Sequence, residues 1–118
     1  MVAAAMLPAE MHARIVFAAT EIAWPAFGAV RRAASGLERA GVGDGDVVCI
    51  LLRNEPAYLE AIFAARWLGA YACPINWHYK ADEAGWILRD SGARALVAAP
   101  ELLAQVEGGV PQGVAFII

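Results

Sequence analysis

Lysine occurs once in this chain, at Lys80, threonine once, at Thr20, and serine only at Ser35 and Ser91. A phosphate loop built from serine and threonine hydroxyls with a following lysine cannot be assembled from that inventory. Histidine and cysteine are as sparse, two of each. His12 and His78 lie far apart, and neither has a neighbour in sequence that would fix its tautomer, so His78 reads as a connector residue and not as a general base. Cys49 and Cys73 sit in apolar, strand-like runs, where the expected reading is a small buried hydrophobe and not a disulfide or a metal ligand. Charge is thin too, at 18% of residues with a net charge of -3. The only adjacent basic pair is Arg31-Arg32, which leaves no footprint for nucleic acid. Arg14, Glu21, Arg53 and Arg66 break the apolar runs well short of the roughly 18 uncharged residues that a membrane span needs. The start, MVAAAMLPAEMHAR, carries no basic segment and soon meets Glu10, so no secretory signal is expected and the cytoplasm is the expected compartment.

What is present is apolar surface. Hydrophobic residues make up 60% of the 118, above ordinary usage for a single small domain. Arg14-Ile-Val-Phe17 and Ile22-Ala-Trp24 read as two short strands joined by Ala18-Ala-Thr-Glu21. From Pro25 the spacing turns helical, with Phe27, Val30, Ala34 and Leu37 on one stripe, and the helix ends at Gly41. Val47 to Leu52 is a strand. Asn54-Glu-Pro56 opens a helix that runs to Gly69, with Leu59, Ile62, Phe63 and Trp67 expected on its buried side. Tyr71-Ala-Cys-Pro-Ile75 is a second strand, whose Pro74 marks an end or an edge. A helix from Asp82 to Ser91 stops at Gly92, a strand follows over Ala93 to Ala98, and a short helix covers Pro100 to Glu107. Gly108-Gly109-Val-Pro111 reads as a loop before a fourth apolar run, Val114 to Ile118. Strands alternating with helices at these spacings pair in parallel through crossovers. The expected fold class is α/β, a parallel sheet with crossover helices preceded by a short β-hairpin.

Two stretches invite a functional reading. Gly41-Val-Gly-Asp-Gly-Asp46 has the glycines of a phosphate loop, but it follows a helix and opens a strand, the reverse of a dinucleotide fingerprint. Asp44 and Asp46 alone are too few for a calcium loop. It reads as a turn. Residues 74–83, PINWHYKADE, gather two aromatics, a histidine, the lysine and two carboxylates. Trp77 and Tyr79 are expected to cover the sheet or to meet another domain. Lys80 occupies a helix N-cap position without a side-chain acceptor, while Asp82 and Glu83 favour the helix dipole. Glu60 and Arg66 read as a solvated face, and Asp90-Ser91-Gly92 as a helix stop. No catalytic, cofactor-binding or metal-binding residue is assigned.

The chain ends on Phe116-Ile117-Ile118. Parallel strands are buried on both faces, and each Ile or Phe left exposed forfeits roughly 1.5 to 3 kcal/mol against a total stability of about 5 to 15. The expectation is one partial domain over residues 1–118, cut from something larger, with the uncovered sheet available for self-association.

One order of signals runs through most of the chain: Leu37 and Gly41-Val42, Gly45-Asp46, the apolar strand Val47 to Leu52, Asn54 and Pro56, Leu68-Gly69-Ala70, Pro74-Ile75-Asn76, Asp82-Glu83, and Ile87-Leu88-Arg89-Asp90-Ser91-Gly92-Ala93. This order and spacing resemble the amino-terminal region of the adenylate-forming ligase superfamily, most of all its acyl-CoA synthetases, over roughly residues 14–98. Pro-Ile-Asn at 74–76 is more like the acyl- or aryl-CoA ligases than the amino-acid-activating domains.

The resemblance implies a parent enzyme that uses ATP, Mg and CoA to activate a carboxylic acid, such as a fatty acid, through an acyl-adenylate. It also implies that the phosphate-binding loop, the acidic and aromatic motifs and the mobile-domain lysine of that family lie outside this chain. The isolated chain is therefore expected to be inactive, its partner being the remainder of the ligase. Two other readings are a stand-alone dimerisation or scaffold module and a small nucleotide-binding α/β domain.

Overall fold

The computed structural model describes residues 14–17, 20–23 and 26–117. Strands β1 (Arg14–Phe17) and β2 (Thr20–Ala23) pair antiparallel, with Phe17 opposite Thr20 and Arg14 opposite Ala23. The second strand thus begins two residues earlier than its apolar residues alone implied, because ladder pairing continues through the polar Thr20 and Glu21; Trp24 lies outside the described residues. Helix α1 (Ala26–Arg39), strand β3 (Val47–Leu51), helix α2 (Pro56–Trp67), strand β4 (Tyr71–Pro74), helix α3 (Ala81–Ser91), strand β5 (Ala95–Ala98), helix α4 (Pro100–Val106) and strand β6 (Ala115–Ile117) follow. Helix α4 stops one residue short of Glu107, and Glu107–Gly109 forms a turn of 3₁₀ helix, taking in Gly108 and Gly109 of the stretch that reads as a loop. No helix among the described residues is long and apolar enough to cross a membrane.

The α/β expectation holds. Four strands form a parallel sheet in the order β4-β3-β5-β6. β3 lies inside it, and its Val48, Cys49, Ile50 and Leu51 are all at most 1% exposed, as an apolar run covered on both faces requires. Alternation along the strands sends Cys49, Leu51, Leu96 and Ala98 to one face. There they pack with Ala84 and Leu88 of α3 and Leu102, Leu103 and Val106 of α4. Val48 and Ala95 point the other way, against Val30, Ala34 and Leu37 of α1 and Ala64 and Ala65 of α2. Ile50 joins them there, packed with Leu52 and Ala61.

Val30, Ala34 and Leu37 of the α1 stripe are buried as their spacing predicts, while the side chain of Phe27 lies outside what the structure describes; the stripe of α2 differs. Its buried residues are Ala61, Ala64 and Ala65, whereas Leu59, Ile62, Phe63 and Trp67 are only half-buried. Small side chains let α2 approach α1 and the sheet closely, and the larger residues are displaced to the flanks of that contact. The acidic helix α3 starts one residue ahead of Asp82 and ends as expected. Gly92 takes the left-handed conformation, φ 67°, and its amide and that of Ala93 close on carbonyls of the last turn, the geometry that favours glycine at this position.

Candidate functional site

In a parallel sheet, ligands tend to settle beyond the carboxyl ends of the strands, where adjacent strands send their following helices to opposite faces. Here that place lies between β3 and β5. α2, which follows β3, covers the Val48 face, and α4, which follows β5, covers the Cys49 face. The ladder continues past the strands, the amide of Ile75 donating to the Ile50 carbonyl at 2.8 Å. The three segments Leu52–Asn54, Ile75–Tyr79 and 99–101 therefore emerge side by side.

Arg53 and Glu101, separated by 48 positions, meet across this crevice. The Arg53 Nη1 donates to Glu101 Oε1 at 2.9 Å, with side chains 41% and 59% exposed. The guanidinium also lies over the Trp77 ring, 4.9 Å from its centroid, a cation–π arrangement. The Glu101 carboxyl is held below its usual range by its own backbone amide and by Arg53. Neither residue stood out in the sequence. The available signal was that each comes two or three residues after an apolar strand, but the strand order is needed to bring them together. Arg53, the cation at this crevice, is thus already engaged by a carboxylate and an aromatic face. Beside it, an open groove of about 510 Å³ runs past Leu52, Glu55, Ala57, Val97 and Pro100, and its walls are mainly apolar.

PINWHYKADE contributes to the same end of the sheet, chiefly to close a turn. The Asn76 side-chain oxygen accepts from the His78 amide at 2.9 Å, and the Asn76 carbonyl accepts from the Tyr79 amide at 3.0 Å. The His78 ring stacks on Trp77 with centroids 3.7 Å apart and is itself exposed. Trp77 and Tyr79 pack half-buried against the core beneath them, as expected of aromatics that cover a sheet. Lys80 makes no side-chain cap, but its amide donates to the Glu83 carboxylate at 3.0 Å. Half of a capping box is therefore present.

The glycine turn is spent on itself. The Gly43 amide donates to Asp46 Oδ2 at 2.8 Å, Gly45 to the Gly69 carbonyl at 2.9 Å, Asp46 to the Gly43 carbonyl at 3.1 Å, and Gly41 and Val42 to carbonyls at the end of α1. A phosphate cradle needs those amides pointing outward and unclaimed. Residues 41–46 therefore do not fit a nucleotide phosphate, and their geometry is that of a turn. Among the described residues, no group of three or more His, Cys, Asp and Glu side chains is gathered as a metal site requires. Cys49 lies against Ser91, Sγ to Oγ 3.6 Å, and burial pushes its thiol up from 9.0 to about 11, so it is no ready nucleophile.

Comparison with known proteins decides the family. The sequence pattern of the AMP-binding enzymes matches residues 26–116. The chain belongs to the AMP-binding enzyme family. It is 46% identical over 72 residues to a feruloyl-CoA synthase of Amycolatopsis sp, a match that takes in 61% of this chain and 15% of that protein. It is 36% identical over 81 residues to a 2-succinylbenzoate–CoA ligase of Geobacillus sp. (strain WCH70), covering 69% of this chain and 16% of that one. Among solved structures, an anthranilate CoA ligase in complex with anthranoyl-AMP superposes with a TM-score of 0.73 at 28% identity, over 83% of this chain and 20% of the ligase. The N-terminal domain of FACL13 from Mycobacterium tuberculosis superposes with a TM-score of 0.66 at 25% identity, over 82% of this chain and 27% of that domain. The chain thus corresponds to part of the amino-terminal region of AMP-binding ligases and spans about 15% of the length of the curated relatives it matches.

Proposed function

We propose that this chain is a supporting α/β layer of an ATP-dependent acid–CoA ligase and contributes no catalytic or cofactor-binding residue of its own. The parent reaction joins a carboxylate to the α-phosphorus of ATP, releases pyrophosphate, and passes the acyl group from the adenylate to the CoA thiol. ATP, with Mg, supplies the activated phosphorus and CoA the acceptor. The proposed substrate class is an aromatic or aryl-bearing carboxylic acid, with fatty acids second, because feruloyl-CoA synthase and anthranilate CoA ligase are among the proteins most similar to it. The partner of this layer is the remainder of such a ligase, working in the cytoplasm.

The observation that carries the reading is the donor accounting. In a family that must hold a triphosphate, the amides of Gly41, Val42, Gly43, Gly45 and Asp46 are bonded within the turn or to its neighbours, and Arg53 is paired with Glu101. What remains for residues 26–116 is to bury one sheet and present its edges and ends to other polypeptide.

A chimera tests this. The 72 residues that match in feruloyl-CoA synthase are replaced by those of this chain, and ATP- and CoA-dependent thioester formation is followed. Activity retained within about tenfold, roughly 1.4 kcal/mol of barrier, is expected of a layer that touches no reacting atom. A folded chimera without adenylation would overturn the assignment. The isolated chain is expected to release no pyrophosphate from ATP with any of a panel of aromatic and fatty acids, and release would show machinery that the proposal denies.

A further inference from the structure

Cys49 and Cys73 are separated by 24 positions yet are register partners on the adjacent parallel strands β3 and β4. Register partners on neighbouring strands present their side chains to the same face, and both thiols belong to the same apolar cluster, with Leu51 and Ile75 as neighbours. Neighbouring strands run about 4.8 Å apart, inside the window of about 4.4 to 6.8 Å between Cα atoms that a disulfide spans. The two sulfurs differ in access. Cys49 is fully buried on the central strand, whereas Cys73 is only partly buried and lies on β4, which has no further partner strand among the described residues. Paired on one side only among the described residues, β4 can draw toward β3 to bring the two Cβ atoms within the roughly 3.5 to 4.5 Å that a disulfide needs.

We propose that Cys49 and Cys73 form a reversible intrachain disulfide under mild oxidation, an oxidative modification site that ties the outer strand β4 to the central strand β3. This inference does not depend on the family reading. The oxidant is hydrogen peroxide. The Cys73 thiolate attacks one peroxide oxygen, the O–O bond breaks, and Cys73 becomes a sulfenic acid as hydroxide leaves and takes up the proton that the thiol had lost. The Cys49 sulfur then attacks the Cys73 sulfur. The S–O bond breaks, and the departing hydroxide takes the Cys49 proton as water. Two thiols are oxidised by two electrons, one peroxide is reduced, and two waters form in all. The order follows from burial: Cys73, the more exposed of the two, meets the peroxide first, and Cys49, no ready nucleophile toward oxidants in solution, resolves the sulfenic acid that the strand register holds beside it.

The test uses the whole chain, reduced and then exposed to hydrogen peroxide under native conditions. The expected product is a monomer lighter by two hydrogens, with native thiols falling from two to none and both returning on addition of dithiothreitol. Trypsin cuts after Arg39, Arg53, Arg66 and Lys80, so the two cysteines fall on separate peptides, 40–53 and 67–80, and the oxidised protein must yield them as one linked species. Oxygen added at Cys73 while Cys49 stays a free thiol would overturn the proposal, as would a Cys73-linked dimer as the main product. In the Cys49→Ala variant, oxidation is expected to stop at Cys73 as oxygenated or dimeric product. If that variant does not fold, the linked peptide from the unaltered chain still decides the matter.

Discussion

Gly85 sits in the middle of α3, and replacing a helix-interior glycine with alanine ordinarily stabilises a protein by about 0.5 to 1 kcal/mol. Here the sign is expected to reverse. A Cβ at position 85 would lie 2.5 Å from the Gly109 carbonyl oxygen and 3.2 Å from its carbonyl carbon, while one at position 109 would run into the Ala81 carbonyl oxygen. The helix and the 3₁₀ turn are thus in backbone-to-backbone contact; the Arg89 side chain, 3.2 Å from that Cβ, can swing aside, but the Gly109 backbone cannot. Separating them costs what overpacking costs, about 1 to 3 kcal/mol. Subtracting the propensity gain leaves Gly85→Ala destabilised by up to about 2.5 kcal/mol. Gly36→Ala is the matched control: Gly36 is also inside a helix, α1, but a Cβ there meets no atom within 4 Å. That variant is expected to gain up to about 1 kcal/mol. Urea unfolding followed by tryptophan fluorescence and far-UV circular dichroism separates them. With a slope of about 1 to 3 kcal/mol per molar urea, the two midpoints should move in opposite directions by a few tenths of a molar or more. If Gly85→Ala unfolds at the same urea concentration as Gly36→Ala or a higher one, the close approach of α3 to Glu107–Gly109 is wrong.

Lys80→Ser should stabilise the chain by about 0.5 to 1 kcal/mol, because residue 80 already has the extended backbone of an N-cap and Glu83 already accepts its amide, so a hydroxyl would complete the capping box; an unchanged thermal midpoint would count against it. Burial raises the Cys49 thiol from 9.0 to about 11, with Cys73 adding to the rise and Ser91 opposing it. The unfolded thiol ionises first, so this contribution to stability is intact below pH 9, falls as pH rises, and is lost by about pH 11. The slope should approach 1.4 kcal/mol per pH unit. Under reducing conditions, Cys49→Ala should lose stability less steeply than the parent between pH 9 and 11, and parallel curves would refute the assignment.

The elements were legible in the sequence because each carries its own punctuation. Gly92 ends α3, Pro56 opens α2, and the apolar spacing of Val30, Ala34 and Leu37 marks the inner side of α1. The family signature was legible for the same reason, being a string of these local signals in order. What was not legible is what depends on packing between elements. The alanine face of α2 is hidden because periodicity weights large residues, whereas close helix packing selects small ones. The 3₁₀ turn at Glu107–Gly109 is hidden because two glycines read as a loop until α3 is known to press against them. Arg53 with Glu101, and Cys49 beside Cys73, follow from the strand order β4-β3-β5 and the β3–β4 register, which no local pattern fixes.

The dense chemistry of PINWHYKADE illustrates the same division from the other side. Its polar atoms have short-range duties: Asn76 closes the turn onto His78 and Tyr79, and Glu83 reaches back to the Lys80 amide. Each bond spans two or three positions. A parallel strand must hand its chain to a crossover helix within a few residues, and buried backbone groups at that corner must find partners before the helix ladder begins. Residues that can donate, accept and stack are what such a corner needs, and they are also what a catalytic site needs. Composition alone therefore cannot separate the two. The separating observation is where each polar atom is aimed, and at residues 76–83 the hydrogen bonds run back into the chain, which is why the strongest family signature in this protein marks a corner of its sheet.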